Sequence, residues 1–177
     1  MELANFRDYE AQKRDRDVFV IDTDYGEIVI LPLAEAAKNH VRKFTDQINL
    51  GFYDGLAFHH IEPGMLIQGG DVNSRDDDPS NDGSGDPGYF LDPEIKLPNL
   101  RGSVGLAHPP GETTKGNSQF YILLADEPNL NGRYTVFGTV VQGLDVVDKI
   151  SRLPAGEHGQ PLKKVVMKRV YIEKRFV

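Results

Sequence analysis

Cysteine and tryptophan are both absent from this chain of 177 residues. The lack of cysteine excludes disulfides, thiolate metal sites and a cysteine nucleophile, and it leaves the redox compartment open. The sequence has no run of about 18 apolar residues, so we expect no membrane-spanning helix. Residues 1–17 are polar and charged and lack the apolar core of a secretory signal, so we expect a cytoplasmic protein.

Positive charge is also scarce, because 20 Lys and Arg face 27 Asp and Glu, for a formal net charge of −7. Nucleic-acid binders usually carry a basic face, and anionic membrane surfaces attract basic segments. We therefore expect neither nucleic acid nor a membrane among the partners. Hydrophobic residues make up 39% and charged residues 27%, which is typical of a globular domain with a real core.

The chain divides into an amino-terminal extension, residues 1–16, and one domain, residues 17–177. Helical periodicity is found in two stretches, residues 34–50 and 143–153, the first of which ends before Gly51. Most of the domain instead has the composition of short strands. The strand-like runs are residues 18–22, 27–31, 56–61, 65–69, 102–107, 119–125, 134–141 and 163–175. This pattern predicts a mainly β fold, with an antiparallel sheet closed into a barrel and helices at its ends.

Two adjacent histidines, His59 and His60, raise the question of a metal site. Neighbouring residues of a strand point to opposite faces, and the other histidines lack ligand spacing, so we expect no metal ion. The structural alternative places one histidine inside, packed and hydrogen-bonded, and the other at a surface or cleft.

Residues 72–94 form an acidic segment rich in Gly, Pro and Ser, which predicts a long loop. Gly83, Gly85 and Gly88 match G-x-G-x-x-G, but neighbouring carboxylates would repel a phosphate and no helix follows. A partial match to a calcium-binding loop fails at its twelfth position, where Tyr89 stands instead of Glu. We interpret the segment as a solvated loop.

Two segments resemble the cyclophilin family. Residues 52–71, FYDGLAFHHIEPGMLIQGGD, resemble its sequence of Tyr-Asp-Gly, Phe-His-Arg, Pro-Gly and Gln-Gly-Gly-Asp. Residues 117–150, NSQFYILLADEPNLNGRYTVFGTVVQGLDVVDKI, resemble its second block, and the resemblance extends over roughly residues 18–173. It implies an eight-stranded antiparallel β-barrel capped by two α-helices. It also implies peptidyl-prolyl cis–trans isomerase activity with no cofactor.

This activity would explain the lack of a nucleophile, because rotation about an Xaa-Pro bond breaks no covalent bond. The barrier of about 20 kcal/mol arises from amide resonance. A catalyst needs only to bind the twisted amide better than the planar isomers. An apolar pocket, backbone donors and a cation near the prolyl nitrogen are enough.

In cyclophilins that cation is the arginine of Phe-His-Arg, and His60 occupies its position here. Imidazole is shorter than guanidinium, has fewer donors and is mostly uncharged near neutral pH. The resemblance also makes His59 the packed histidine of the family and Gln68 the glutamine that binds the substrate backbone. Arg133, beside the pocket, and Lys115, on a lengthened loop, are alternative donors.

Other positions of the substrate cleft follow from the same resemblance. They are Phe58, Met65, Leu66, Ala107, His108, Gln119, Tyr121, Asn129, Leu130 and Tyr134. Asn129 stands where many family members have the tryptophan that binds cyclosporin, which predicts weak inhibition by this compound.

Two functions therefore stay open. The first is a weakened isomerase that acts on Xaa-Pro bonds of peptides and of folding or unfolding proteins. The second is a proline-peptide binding or protein-interaction module on the same fold. In either case, the expected partners are proline-containing peptides or client proteins, and we expect a monomer.

Overall fold

The computed structural model describes residues 13–177. We expected an amino-terminal extension over residues 1–16. Residues 1–12 of this stretch lie outside the described residues, and residues 13–16 lie within them. The first strand begins at Asp15, inside the stretch that we assigned to the extension.

Eight strands form one antiparallel sheet, in the order β3-β4-β6-β5-β7-β2-β1-β8. The strands are β1 Asp15–Thr23, β2 Gly26–Pro32, β3 His60–Glu62, β4 Leu66–Gly69, β5 Ser103–Leu106, β6 Phe120–Leu123, β7 Val136–Gln142 and β8 Arg169–Phe176. Two α-helices accompany them, α1 Lys38–Asn49 and α2 Leu144–Ser151. The prediction of a mainly β fold with eight antiparallel strands and two helices is confirmed.

Closure of the sheet differs from the expectation of a complete barrel, because the strand order leaves β3 and β8 as edges. The segments that precede these strands connect the edges instead. Ala57 bridges Val166, and Phe58 N–H donates to the carbonyl of Val165 at 2.9 Å. The predicted strand 163–175 therefore splits in two. Its first part crosses to the opposite edge, and β8 itself begins only at Arg169.

Helix α1 buries the face that the periodicity predicts, with Phe44 and Ile48 almost fully inaccessible. The Phe44 ring lies 4.3 Å from that of Phe137 on β7, centroid to centroid. Gly51 follows the helix with a φ of 72°, the left-handed conformation that glycine adopts most easily. In the part of the chain that the structure describes, no helix is long and apolar enough to cross a bilayer.

Side chains along each strand point alternately to the two faces of the sheet, so an inner core is separated from an outer face. Ile61, Ile67 and Ile122 are paired across β3, β4 and β6, and all three belong to the main core. The neighbouring residues of each strand point outward. Register places His60 opposite Gln68, Gln68 opposite Tyr121, and Tyr121 opposite Gly105 on β5. These four residues form one row across the outer face of the sheet, here called the outer row.

Candidate active site

A small apolar cluster, here called the outer cluster, lies on the outer face and is separate from the main core. Its buried members are Ala107, Tyr121 and Leu123, and its partly buried members are Leu66, Leu130 and Tyr134. Except for Leu123, these are residues that the sequence assigned to the substrate cleft. The structure therefore brings the predicted apolar wall together from strands β4 and β6 and from the two loops that follow β5 and β6.

Tyr121 is the centre of the outer cluster, and Gly105 makes room for it. A Cβ on Gly105 would come within 2.2 Å of the Tyr121 ring, so a larger residue there would displace the tyrosine. The Tyr121 hydroxyl donates a hydrogen bond to the Asn99 side-chain oxygen. Burial is the main cause that raises the pKa of Tyr121, with a smaller contribution from Tyr134, so the hydroxyl stays a donor. Neither Gly105 nor Asn99 stood out in the sequence.

His108 and Tyr134 close one side of the outer cluster. Their rings stack with centroids 4.2 Å apart and an interplanar angle of 19°. Burial, and then the charge of Arg133, lowers the pKa of His108, which favours a neutral ring in this stack. Asn129 and Met65 are exposed, with Met65 at 38%. These two predicted residues border the site rather than fill it.

Gln68 is fixed by a second glutamine. Its amide nitrogen donates to the Gln119 side-chain oxygen at 3.2 Å, and the Gln119 amide nitrogen donates to the carbonyl of Gly83 at 2.9 Å. Gln119 is only 2% exposed, whereas Gln68 is half-buried at the surface. The pair therefore presents Gln68 to the outside in a defined orientation. It also ties the acidic loop to β6.

His60 has acceptors on both sides of its ring. Nδ1 lies 2.9 Å from the backbone oxygen of His158, and Nε2 lies 3.0 Å from the Glu62 carboxylate. The His60 side chain is 32% exposed and that of Glu62 is 48% exposed. Glu62 was missed in the sequence, although residues two apart on a strand share a face. The contact with His158 gave no sequence signal.

His59 lies deeper and next to a different loop. A Cβ on Gly83 would be 3.4 Å from its Nε2, which places the ring beneath the acidic loop. Burial, with a smaller contribution from the neighbouring His60, lowers the pKa of His59 to about 4. The packed position agrees with the sequence interpretation. Among the described residues its buried Nδ1 has no hydrogen-bond partner, so the expected internal hydrogen bond is not found at that atom.

Phe58 and Lys115 differ from the other predicted site residues, the first by its burial and the second by its ion pair. Phe58 is fully buried and packs edge to face on Phe120 with centroids 5.9 Å apart, because it belongs to the main core. The Lys115 ammonium forms an ion pair with Asp92 at 3.1 Å, which occupies this alternative donor. Arg133, the other alternative, is exposed beside Tyr134.

Two adjoining clefts, of about 570 and 380 Å³, extend from the outer row beneath the acidic loop. The larger is lined by His60 and Gln68, and both clefts are lined by His59, Pro79, Asp82 and Gln160. A peptide bound over the outer cluster would therefore have room to continue along the acidic loop.

The acidic loop is folded around Asp71, which is fully buried. Its carboxylate accepts N–H bonds from Gly83 at 2.7 Å and from Gly85 at 2.9 Å. These glycines serve the loop itself, as the sequence argument against a phosphate site expected. Asp78 likewise accepts from the backbone of Ser80 at 2.9 Å.

Similarity to known proteins identifies the family and agrees with the fold. Residues 18–172 match the family of cyclophilin-type peptidyl-prolyl cis-trans isomerases. The chain belongs to the cyclophilin family. This cyclophilin is 39% identical over 140 residues to a probable peptidyl-prolyl cis-trans isomerase of Brucella abortus, covering 76% of this chain and 71% of that one. It is 40% identical over 120 residues to peptidyl-prolyl cis-trans isomerase B of Bacillus subtilis, covering 66% and 78%.

The structural comparison agrees. A cyclophilin-type isomerase of Cryptosporidium parvum, crystallised in the presence of the dipeptide Ala-Pro, superposes with a TM-score of 0.78 at 25% identity. The superposition covers 89% of this chain and 99% of that one. The predicted family and fold are confirmed, and the activity of the family is peptidyl-prolyl cis–trans isomerisation. The roles of individual residues at the site stay predictions.

Proposed function

We propose that this cyclophilin isomerises Xaa-Pro bonds at the outer cluster, with His60 as the cation and Gln68 as the backbone ligand. The observation that supports this proposal is the outer row. It places an apolar wall around Tyr121 beside a glutamine of fixed orientation and a histidine with two acceptors. Proline binding, backbone alignment and positive charge are the three requirements of the reaction.

The proline ring is expected to lie against Tyr121, Leu66 and Leu130, which offer an apolar surface with little polar competition. As the amide twists, the prolyl nitrogen loses conjugation and regains a lone pair. A positive N–H near that lone pair stabilises the twisted state more than either planar isomer. Gln68 is expected to hold the adjacent backbone while this rotation takes place.

The N–H on Nε2 of His60 is the group expected to donate to the prolyl nitrogen of the substrate. Its resting partner, Glu62, is an exposed carboxylate on the same strand, and exposed charge pairs contribute little free energy. The other N–H, on Nδ1, stays on the His158 carbonyl and fixes the ring. One imidazolium N–H replaces the five donors of a guanidinium, so we expect weaker catalysis than with arginine at this position.

The decisive experiment measures exchange and binding on the same peptide. Two-dimensional exchange NMR on a short Ala-Pro peptide gives the isomerisation rate without a coupled protease, and chemical-shift titration gives Kd. We expect His60→Ala to lower kcat/KM by about tenfold or more and to change Kd by less than about threefold. Tyr121→Ala should instead weaken Kd, because it removes the centre of the pocket.

Two outcomes would contradict the proposal. If the wild-type protein binds the peptide but does not accelerate exchange, the chain is a proline-peptide binding module. If His60→Ala keeps the full rate while remaining folded, the cation is not His60. Leu50→Ala, at a position that is 79% exposed and lines neither cleft, serves as the control for nonspecific effects of substitution.

The wider biological setting also belongs to the proposal. We infer that proline-containing segments of client proteins are the substrates, that the protein acts as a monomer and that it works in the cytoplasm. Weak inhibition by cyclosporin is expected because Asn129 is exposed at the rim and the chain contains no tryptophan.

A further inference from the structure

The surroundings of His60 contain one more residue with an assignable role. A neutral imidazole carries a single N–H, and its second nitrogen is an acceptor. Here the backbone oxygen of His158 lies 2.9 Å from Nδ1 and a carboxylate oxygen of Glu62 lies 3.0 Å from Nε2. Both neighbours are acceptors at neutral pH. A neutral ring would therefore set a lone pair against one of them, whereas the imidazolium satisfies both.

We propose that Glu62 is a positioning residue that holds His60 in its doubly protonated form and so restores a positive charge to the site. This inference rests on the proposed function, since it gives His60 the charge that the isomerisation uses. Glu62 acts through His60 and needs no contact with the substrate.

The backbone acceptor of His60, the carbonyl oxygen of His158, is held in place by a tight turn. The turn closes with Gly156 N–H on the carbonyl of Gln160 at 2.9 Å, and Gly159 has a φ of 74°. Ile61 N–H donates to the carbonyl of Gly159 at 2.7 Å, which docks the turn on β3. A Cβ on Gly159 would come within 2.8 Å of the His60 ring. The Nδ1 acceptor is therefore built into the fold.

Three other titratable side chains line the cleft that His60 lines. They are Asp82 from the acidic loop, which favours a positive ring, and the imidazoles of His59 and of the exposed His158. His59 is kept neutral by burial, which removes the closest competing positive charge. Gln68, opposite His60 on β4, is uncharged. Glu62 is the acidic side chain in direct contact, and it is the part of the arrangement that substitution can change.

Glu62→Gln tests the proposal, because it keeps the size of the side chain and removes its charge. Ring-nitrogen NMR reports the doubly protonated fraction of His60, and exchange NMR reports kcat/KM, both from about pH 5.5 to about pH 8. We expect that fraction to fall in the variant near neutral pH, with kcat/KM lower by about threefold, as for a partly exposed ion pair. The difference between the two proteins should narrow as the pH falls, because acid supplies the second proton whether or not Glu62 is charged.

Two comparisons separate charge from structure. Glu62→Asp should restore part of the doubly protonated fraction, and Glu157→Gln, an equal charge change on the exposed neighbouring turn, should have no effect. An unchanged protonation of His60 in Glu62→Gln would overturn the inference. If the wild-type protein lacks isomerase activity at every pH, the proposed function fails, and the ring-nitrogen measurement still decides the role of Glu62.

Discussion

His59 and His60 are neighbours in the sequence, yet the fold gives them opposite environments. His59 lies beneath Gly83 of the acidic loop, where burial lowers its pKa to about 4 and its Nδ1 lacks a partner among the described residues. His60 lies against Gly159 of another loop, is 32% exposed and has an oxygen acceptor at each nitrogen. The first site favours the neutral ring, whereas the second leaves the ring open to water and to a ligand.

The comparison teaches that the burial and the hydrogen-bond partners of each histidine are decided by the loop that covers it. The acidic loop shields His59 from water and offers its Nδ1 no acceptor, so removal of the proton is favoured there. The turn of residues 156–160 leaves His60 open to water and supplies a carbonyl to it. A chain of ordinary composition thus obtains one buried packing residue and one exposed hydrogen-bonding residue from the same amino acid.

The largest expected effect is on stability at low pH, through His59. Its pKa is 6.5 without the fold and about 4 within it, so between these values the unfolded chain binds more protons. Stability from His59 is therefore complete above about pH 6.5 and is lost as the pH falls towards 4. At about 1.4 kcal/mol per unit of pKa, the loss amounts to about 3 kcal/mol.

Denaturant unfolding of wild type and His59→Gln should show this loss as a difference. The gap between their unfolding free energies is expected to shrink between about pH 7 and about pH 4.5, because glutamine does not titrate. His158→Gln, at an exposed histidine that lines the same cleft, is the matched control for the loss of an imidazole. A constant gap for His59→Gln would show that the ring is not held neutral.

The next effect concerns the rate and the charge at His60. His60→Arg places a permanent cation with several donors in the outer row, so kcat/KM on an Ala-Pro peptide should rise by about tenfold or more. Its pH dependence should become flat, since guanidinium stays charged. Exchange NMR at several pH values measures both. An unchanged rate in a folded variant would mean that the donor does not limit catalysis.

The smallest effect is expected from the two alternative donors. Lys115 is bound to Asp92, and both Lys115 and Arg133 are exposed, so either change to alanine should alter kcat/KM by less than about twofold. Lys174→Ala provides a matched control, because that lysine forms an exposed pair with Asp17 at the same 3.1 Å. A tenfold loss in Lys115→Ala or Arg133→Ala would move the catalytic cation away from His60.

The apolar half of the site could be predicted from the sequence, because it depends on strand alternation and on motifs within continuous segments. Leu66, Tyr121 and Leu130 follow from the two blocks that resemble cyclophilins, and the sheet register then joins them. Helix α1 and its end before Gly51 could also be predicted from the sequence, since helical periodicity and a glycine after the helix are local signals.

The polar half could not be predicted, because loops that are distant in the sequence supply it. The carbonyl of His158 has no side-chain signature, and Asp71 reaches Gly83 and Gly85 only through the folded acidic loop. The burial of Phe58 was missed for a related reason. Its motif suggested the cleft, whereas the bridge between the two sheet edges carries it into the core.

The contact between His60 and the carbonyl of His158 spans 98 residues of chain. At roughly ten residues per second, a ribosome needs about ten seconds to make that span. The outer cluster is complete once Tyr134 has been made, whereas the turn around Gly159 emerges later. The main core also contains Val165, Met167 and Val170, so the sheet beneath the outer cluster is fully packed only after the carboxy-terminal segment has been made. The two halves of the site are therefore expected to form in the same folding step.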